Sequence, residues 1–589
     1  MKSFKNWKLL LLAGVLISCN KDYKDTSTAL VGDKGAPSIT GLSRVTGDIG
    51  DTLKIMGTFP KGGDVFFGNQ QLSVVSANET EIVVVVPYGT GSAFVSVNAG
   101  ALRSNKVTFT YNLPPAKEGV RIGDNYYEVD TASLIEIGPG TKYMLLNLRD
   151  KYTDNHLKVH LTFMDAGNPY LSFKPVLGKD TVPSMETVPN MAVRKSKAGS
   201  RYFVGINGDL FNNTFTAPPG INHQGRVNGS CIIDGLITNI NYNFPAYAPV
   251  YFKGNSIYFD EFEFNSYVRL PNGQKIDIKN INNNRAQDDL ILYNAVKGKH
   301  TITNPFGTEM SVTPVTSWGD YTNAQVRVNA KTIRADNKGS MPIPAGGAVI
   351  SAHDFSADIL NAANVGDILT VVNYAKRTED GTIAQQMISG DLRILKNGNQ
   401  QSPGIARAAR TAIGASADKS TVVFCVIDLI PGVSVGASTT DLADILKLYG
   451  ASDAVNLNGG AFSTMYVKGA GYNNAGLVNL PGNTTTAPNV GNGMFVISTA
   501  PDDATVVKLV ADLYSVRVKT NGIIAPRFYG LNRYGHIVAS YASGVTLSGG
   551  EDLGVISGTT FTAGTITGRA KIFGTYNGMT AGFTVNVVP

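Results

Sequence analysis

Period-two alternation of apolar and polar residues, broken by glycine turns, runs through most of the chain. Asp51-Thr52-Leu53-Lys54-Ile55-Met56-Gly57 alternates, Val65-Phe66-Phe67-Gly68 follows, and Glu81-Ile82-Val83-Val84-Val85-Val86-Pro87 closes a third run. Strands at this spacing with no helical period predict a β-sandwich over residues 37–112. Residues 501–589 show the same strand-and-turn pattern, ending in Ala581-Gly582-Phe583-Thr584-Val585-Asn586-Val587. The stretch between them, 113–500, is also strand-rich: His156-Leu157-Lys158-Val159-His160-Leu161-Thr162-Phe163 alternates along one face. A few helices interrupt it. Leu442, Ile445, Leu446 and Tyr449 fall at i, i+3, i+4 and i+7, predicting a helix over 440–449 with Thr440 capping its start and Gly450 its end. The expected fold is multidomain, with an α+β central domain flanked by two all-β sandwiches.

The N-terminus carries a different pattern. Lys2, Lys5 and Lys8 precede an apolar run over 9–17 and then Ser18-Cys19, the layout of a secretory leader (1–18). The run falls short of the roughly 20 residues a membrane span needs. Leu16-Ile17-Ser18-Cys19 resembles a bacterial lipoprotein box, which implies lipidation of Cys19 and a polar tether over 19–36. The membrane is then a partner through the lipid anchor only, and the expected location is the cell envelope or cell surface of a bacterium.

Composition narrows the chemistry. Hydrophobic residues make up 43% and charged residues 16%, with 64 Gly and 26 Pro, a turn-rich globular chain. The net charge of +6 falls to +3 without the three leader lysines, and no Lys/Arg block suggests a nucleic-acid partner. Besides Cys19, only Cys231 and Cys425 are present. They could pair or stay as buried thiols, and spacing decides neither. Of six histidines, His156 and His160 are four apart, but on a strand that is about 13 Å, too far for one metal. No H-E-x-x-H or Walker pattern occurs.

Polar turns at the ends of strong strands are the candidate chemistry. Asn207-Gly208-Asp209 follows one strand, Ser389-Gly390-Asp391 another, and Asp428 ends the buried run Val422-Val423-Phe424-Cys425-Val426-Ile427. Arg410 opens a strand, and Asn456-Leu457-Asn458-Gly459-Gly460 follows the predicted helix. Rigid sheets place sites at such ends. Asp165, ahead of Gly167-Asn168-Pro169, reads either as a sheet-end turn or as a cation ligand.

The order of these turns resembles the phosphodiester glycosidase family. The resemblance rests on Asn207-Gly208-Asp209-Leu210-Phe211, Arg410-Thr411-Ala412-Ile413-Gly414 and 456–465, within roughly 115–498. That family includes the enzyme that removes N-acetylglucosamine from a phosphodiester to uncover mannose 6-phosphate. Gly47-Asp48-Ile49-Gly50-Asp51, Pro87 and the strand Val107-Thr108-Phe109-Thr110-Tyr111 resemble the IPT/TIG immunoglobulin-like family. The C-terminal segment, with Tyr529-Gly530-Leu531-Asn532-Arg533-Tyr534-Gly535, resembles bacterial Ig-like domains. The glycosidase resemblance implies a hydrolase acting on a sugar-1-phosphodiester or related glycan. Asp209, Asp391 and Asp428 are the candidate catalytic carboxyls, and Arg410 is the phosphate cation, with Arg194 second. Asn207, Gly208, Asn456, Asn458, Gly459, Gly460, Ser463 and Thr464 are the candidate sugar-binding set. No cofactor is firmly implied; a divalent cation at the carboxylates is left open.

The chain departs from the family pattern at four points. Asn458 stands where the family carries Asp, Ala461-Phe462 replace small residues, and Gly390-Asp391 and Asp428-Leu429-Ile430 replace Gly-Gly-Pro and Asp-Gly-Arg. An amide hydrogen-bonds sugar hydroxyls but cannot ionise. The second expectation is therefore a non-catalytic glycan-binding or adhesive lipoprotein that keeps the fold without the carboxylate at 458.

Overall fold

A computed structural model describes residues 35–589, except 49, 61, 69, 88–90, 113–118, 215–223, 242–247, 402 and 472–474. The leader, Cys19 and nearly all of the 19–36 tether lie outside the described residues. The chain divides into two compact units, one through Lys117 and one from Glu118 to Pro589.

In the first unit the predicted alternation produces two facing sheets. One orders Ser38–Leu42, Thr52–Thr58, Glu81–Val85 and Val74–Ala77; the other runs from Thr46–Gly47 through Val107–Tyr111, Ser92–Ala99 and Asp64–Phe67 to Gln70–Leu72. Leu53 and Ile55 from one sheet, Val65, Val95 and Phe109 from the other, are fully buried between them. Each such side chain contributes about 1.5–3 kcal/mol by leaving water.

The second unit is built on a nine-stranded sheet with Asn125–Gly138, Thr141–Asp150, His156–Asp165, Thr421–Ile427, Arg410–Ala415 and Asp453–Asn456 adjacent in that order. The buried run ahead of Asp428 is its central strand, and alternation sorts it onto two faces. Phe424 and Val426 face a core shared with Phe173, Phe203, Met494 and Val496 of a four-stranded sheet and Ile388 of a five-stranded one. Cys425 and Ile427 face the opposite way, onto Leu442, Ile445 and Leu446 of the helix Thr439–Leu448. That helix begins one residue before the prediction, because Ser438 caps it. The Ser438 hydroxyl accepts from the Asp441 N–H at 3.0 Å and the Asp441 carboxylate accepts from the Ser438 N–H at 3.0 Å.

An eight-stranded sheet with its own core is inserted between these elements, from Phe262–Arg269 to Ile368–Arg377. Helix is sparse: besides Thr439–Leu448, Val188–Lys195 and Asp354–Leu360 are the α-helices among the described residues. The unit is therefore mostly β, where α+β was expected. The C-terminal segment forms three small sheets around a core of its own, and it also buries Tyr529 and Leu531 in the core of the central sheets. Cys231 and Cys425 are both buried free thiols. Asp165 forms a sheet-end turn, its carboxylate accepting from the Gly167 N–H at 2.9 Å. Among the described residues no helix is long and apolar enough to cross a membrane.

Candidate functional site

Antiparallel register brings the polar turns to one edge of the sheets. Arg410 pairs with Ile427, so Asp428 lies one residue beyond it; Ala412 pairs with Asn456, so Asn458 overhangs the same end. Asn207 pairs with Gly493, and the Asp391 N–H donates to the Asn456 carbonyl at 3.1 Å. The loops are stitched together by the Asn458 N–H to the Gly208 carbonyl at 3.1 Å and the Gly460 N–H to the Ala409 carbonyl at 2.8 Å. Side chains could not stand at Gly208 or Gly390: a Cβ at the first would run into the Asn492 side chain, and at the second into the Asn456 carbonyl.

Asn207 ties the edge together. Its side chain donates to the Asn458 carbonyl at 2.6 Å and accepts from the Thr411 hydroxyl at 2.8 Å and the Thr464 N–H at 2.9 Å. It is fully buried. Expected as a sugar ligand, it instead knots three distant loops, its amide spent on the protein. Thr464 is likewise fully buried, and its hydroxyl donates to the Phe462 carbonyl at 3.0 Å.

The three aspartates occupy different environments. Asp428 is 1% exposed. Its carboxylate accepts from His160 Nε2 at 3.1 Å, Asn479 Nδ2 at 3.0 Å and the Leu480 N–H at 3.3 Å. A carboxylate can only accept, so Nε2 carries the imidazole proton and Nδ1 accepts from the Tyr143 hydroxyl at 2.8 Å. Burial would raise the Asp428 pKa, but these donors outweigh it and hold it below 3.8. Burial also lowers the His160 pKa against the pull of Asp428, keeping the imidazole neutral.

Asp209 is 2% exposed; one oxygen accepts from the Ser389 N–H at 2.7 Å and the other has no partner. Burial pushes its pKa well above 3.8, against Ser389 and nearby Asn492, so it holds a proton that ordinary aspartates release. Asp391 is the half-buried one. Asn456 Nδ2 donates to it at 2.6 Å, and burial raises its pKa against Asn456 and the charge of Arg410. Asp209 and Asp428, expected as catalytic, are shut behind the edge; Asp391 reaches its rim.

Arg410 is half-buried, with Nε donating to the Ala437 carbonyl at 2.9 Å and Nη2 to the Ala406 carbonyl at 2.7 Å. Burial lowers its pKa against the charges of Asp391 and Asp441, and it remains a cation. It makes no ion pair with Asp391 among the described residues. Its guanidinium is thus aimed by two carbonyls while its charge has no counter-ion in contact among the described residues. Arg194, the expected second cation, is elsewhere: it sits on the helix Val188–Lys195, ion-paired with Glu186 at 2.8 Å and with Asp180.

The Asn458 side chain makes no hydrogen bond among the described residues, although the residue is 7% exposed. Gly459 and Gly460 are partly exposed beside it. Ser463 is buried with an unpartnered hydroxyl, and Asn456 is buried with an unpartnered carbonyl oxygen. No three His, Cys, Asp or Glu side chains among the described residues are grouped to hold a metal, so Asp209, Asp391 and Asp428 form no cation cluster.

Sequence reasoning passed over Asn492, whose side chain accepts from the Asp209 N–H at 2.8 Å, and Asn479, which joins Asp428 to the Ser463 carbonyl. Both are buried amides next to glycine or proline turns, so composition disguises them as turn formers.

Residues 322–497 match the model of the phosphodiester glycosidase family, and residues 37–111 that of the IPT/TIG domain. These matches make the segment 322–497 similar to phosphodiester glycosidases and the segment 37–111 similar to IPT/TIG domains. The matched segment contains Asp391, Arg410, Asp428 and 456–464, and leaves Arg194, Asn207, Gly208 and Asp209 outside it. Among solved structures, an exported protein of Burkholderia pseudomallei aligns at 15% identity and TM-score 0.49, over 65% of this chain and 100% of that one. A protein from Synechocystis aligns at 16% and 0.47, over 79% and 81%. The catalytic domain of zebrafish N-acetylglucosamine-1-phosphodiester alpha-N-acetylglucosaminidase, auto-inhibited by its pro-peptide, aligns at 14% and 0.30, over 63% and 87%. No curated protein matches the chain.

Proposed function

We propose that this chain is a lipid-anchored glycoside hydrolase of the bacterial envelope that cleaves a sugar-1-phosphodiester of the N-acetylglucosamine type or a related glycan. The supporting observation is the placement, at one sheet edge, of a carbonyl-aimed guanidinium (Arg410) and a rim carboxyl (Asp391) that feels its charge, beside the unpartnered amide of Asn458. Arg410 receives the phosphodiester charge. The bond from the anomeric carbon to the phosphate oxygen breaks, and the electron pair leaves with the phosphate monoester. Asp391, as carboxylate, faces the oxocarbenium-like centre, and water adds to that carbon, its surplus proton passing to the released phosphate monoester. Phosphate is a good leaving group, so holding its charge matters more than protonating it. Asn458, Gly459 and Gly460 meet sugar hydroxyls. Asn207, Asp209 and Asp428 position the loops from behind.

The amide at 458 also favours a second reading, a glycan-binding lipoprotein without turnover. Incubation of the purified protein with an N-acetylglucosamine-1-phosphodiester, with released sugar measured, separates the two. Release of sugar that Arg410→Ala strongly lowers carries the first. Retained binding without release carries the second, and Asn458→Asp then restores turnover if the missing charge is the cause. The anchor rests on the leader and Cys19; palmitate labelling that Cys19→Ser abolishes is its check, and labelling that survives that change removes it.

A further inference from the structure

The eight-stranded sheet carries a cavity that none of this chemistry uses. It measures about 160 Å³ and is walled by Trp318 and Tyr321, Leu236, Leu292 and Ala348, with Asn373 from the strand Ile368–Arg377. The two rings stack, with centroids 5.8 Å apart and planes at 24°. The Trp318 indole N–H donates to the Gly346 carbonyl at 2.8 Å, and the Asn373 N–H donates to the Tyr321 carbonyl at 2.8 Å. Tyr321 holds a left-handed backbone, φ +63°, a conformation costly for a non-glycine residue. The rings are therefore fixed in place by the sheet.

Asn373 is fully buried. Its side-chain oxygen accepts from the Ser266 hydroxyl at 2.9 Å, while its Nδ2 has no partner. A buried amide donor without an acceptor is costly and rare, and this one belongs to a residue that lines the cavity.

We propose that this cavity binds a single neutral pyranose ring of a glycan, at a site separate from the Arg410–Asp391 edge. A pyranose has a face of C–H groups that lies on an indole or phenol ring, and hydroxyls at its rim that accept from an amide. It satisfies the rings and Nδ2 together. A purely apolar occupant would leave Nδ2 unpaired, and an ion would meet apolar walls without a charged partner among the lining residues. Concave, largely apolar pockets with a few placed polar groups are the usual form of small-ligand sites. The proposal does not depend on hydrolysis at the other site; it stands if that reading fails.

The sequence has two tryptophans, Trp7 and Trp318, so in the full chain carrying Trp7→Phe the emission reports Trp318 alone. Glucose, mannose, galactose and N-acetylglucosamine are titrated in turn, with cyclohexylmethanol as an apolar control. The expected result is a saturable emission change with at least one sugar, weakened tenfold or more by Asn373→Leu. Saturation-transfer NMR with that sugar should lose its signal in Trp318→Ala and keep it in Arg410→Ala. If Asn373→Leu unfolds, the Trp318→Ala measurement decides. No saturable response to any sugar, a signal that survives Trp318→Ala, or tighter binding of cyclohexylmethanol than of every sugar would overturn the proposal.

Discussion

The knot at Asn207 and the rim at Asp391 and Arg410 share one sheet edge, and both are made of polar residues on short turns. They differ in what their hydrogen-bonding capacity is spent on. Asn207 is fully buried, and its amide holds Asn458, Thr411 and Thr464. Among the described residues, Arg410 spends two donors on carbonyls and keeps an unpaired charge, while Asn458 spends its backbone on the knot and leaves its side chain free. A polar cluster at a strand end is thus two things at once, an inner layer that closes the loops and an outer layer open to a ligand. Distance from solvent, rather than residue type, separates them.

The sharpest way to break that division is to cut the knot. Asn207→Ala leaves a buried hydroxyl, N–H and carbonyl without partners, and it should cost about 3–5 kcal/mol of unfolding free energy and abolish turnover and binding together. Denaturant unfolding of the variant measures it. A stable variant with lost turnover would move Asn207 to the outer layer and contact with substrate.

The outer layer should behave in the opposite way. Arg410→Ala and Asp391→Asn should each lower kcat/KM by about 100-fold, equivalent to about 2.7 kcal/mol of transition-state stabilisation, with unfolding free energies within about 1 kcal/mol of the parent. Because burial raises the Asp391 pKa, the acid limb of its pH–rate profile should lie above the ordinary range for aspartate and vanish in Asp391→Asn. Steady-state kinetics beside denaturant melts gives both numbers. Equal losses of rate and stability would merge the two layers.

The strands were legible because period-two alternation is a local signal. The Thr421–Ile427 run, the Arg410–Ala415 start and the Asn207 turn all stand where the pattern places them. The helix cap stands two residues before the expected one, because Ser438 and Thr440 both suit it and only geometry shows that Asp441 reaches back to Ser438. The convergence of the turns was legible only through their resemblance to a family. The division into inner and outer layers was not legible, because it depends on which side chains the register buries. Asp209, Asp391 and Asp428 look alike in sequence, yet one keeps an unpaired oxygen, one faces the rim and one is gripped by His160 and Asn479. Arg194 shows the converse: a cation near a family motif whose charge is consumed by Glu186 and Asp180.

The smallest effect tests whether Asp209 belongs wholly to the inner layer. Its folded pKa lies above the unfolded value of 3.8. As pH rises past 3.8 the unfolded chain releases a proton that the folded chain keeps, so folding loses stability with rising pH until the folded pKa is passed. His160, and His536 with its pKa lowered to about 4 by burial, act the other way. Below pH 6.5 the unfolded chain takes up protons that these folded imidazoles refuse, so stability falls as pH drops. The trends oppose each other between about 4 and 6.5; above 6.5 the histidines are silent. Asp209→Asn removes only the first trend. Relative to the parent it should gain stability with pH at up to about 1.4 kcal/mol per pH unit between 3.8 and the folded pKa, and should leave kcat unchanged at neutral pH. Parallel stability–pH curves for the two proteins would mean that the Asp209 carboxyl is ionised in the fold. A fall in kcat at unchanged stability would bring it forward to the substrate.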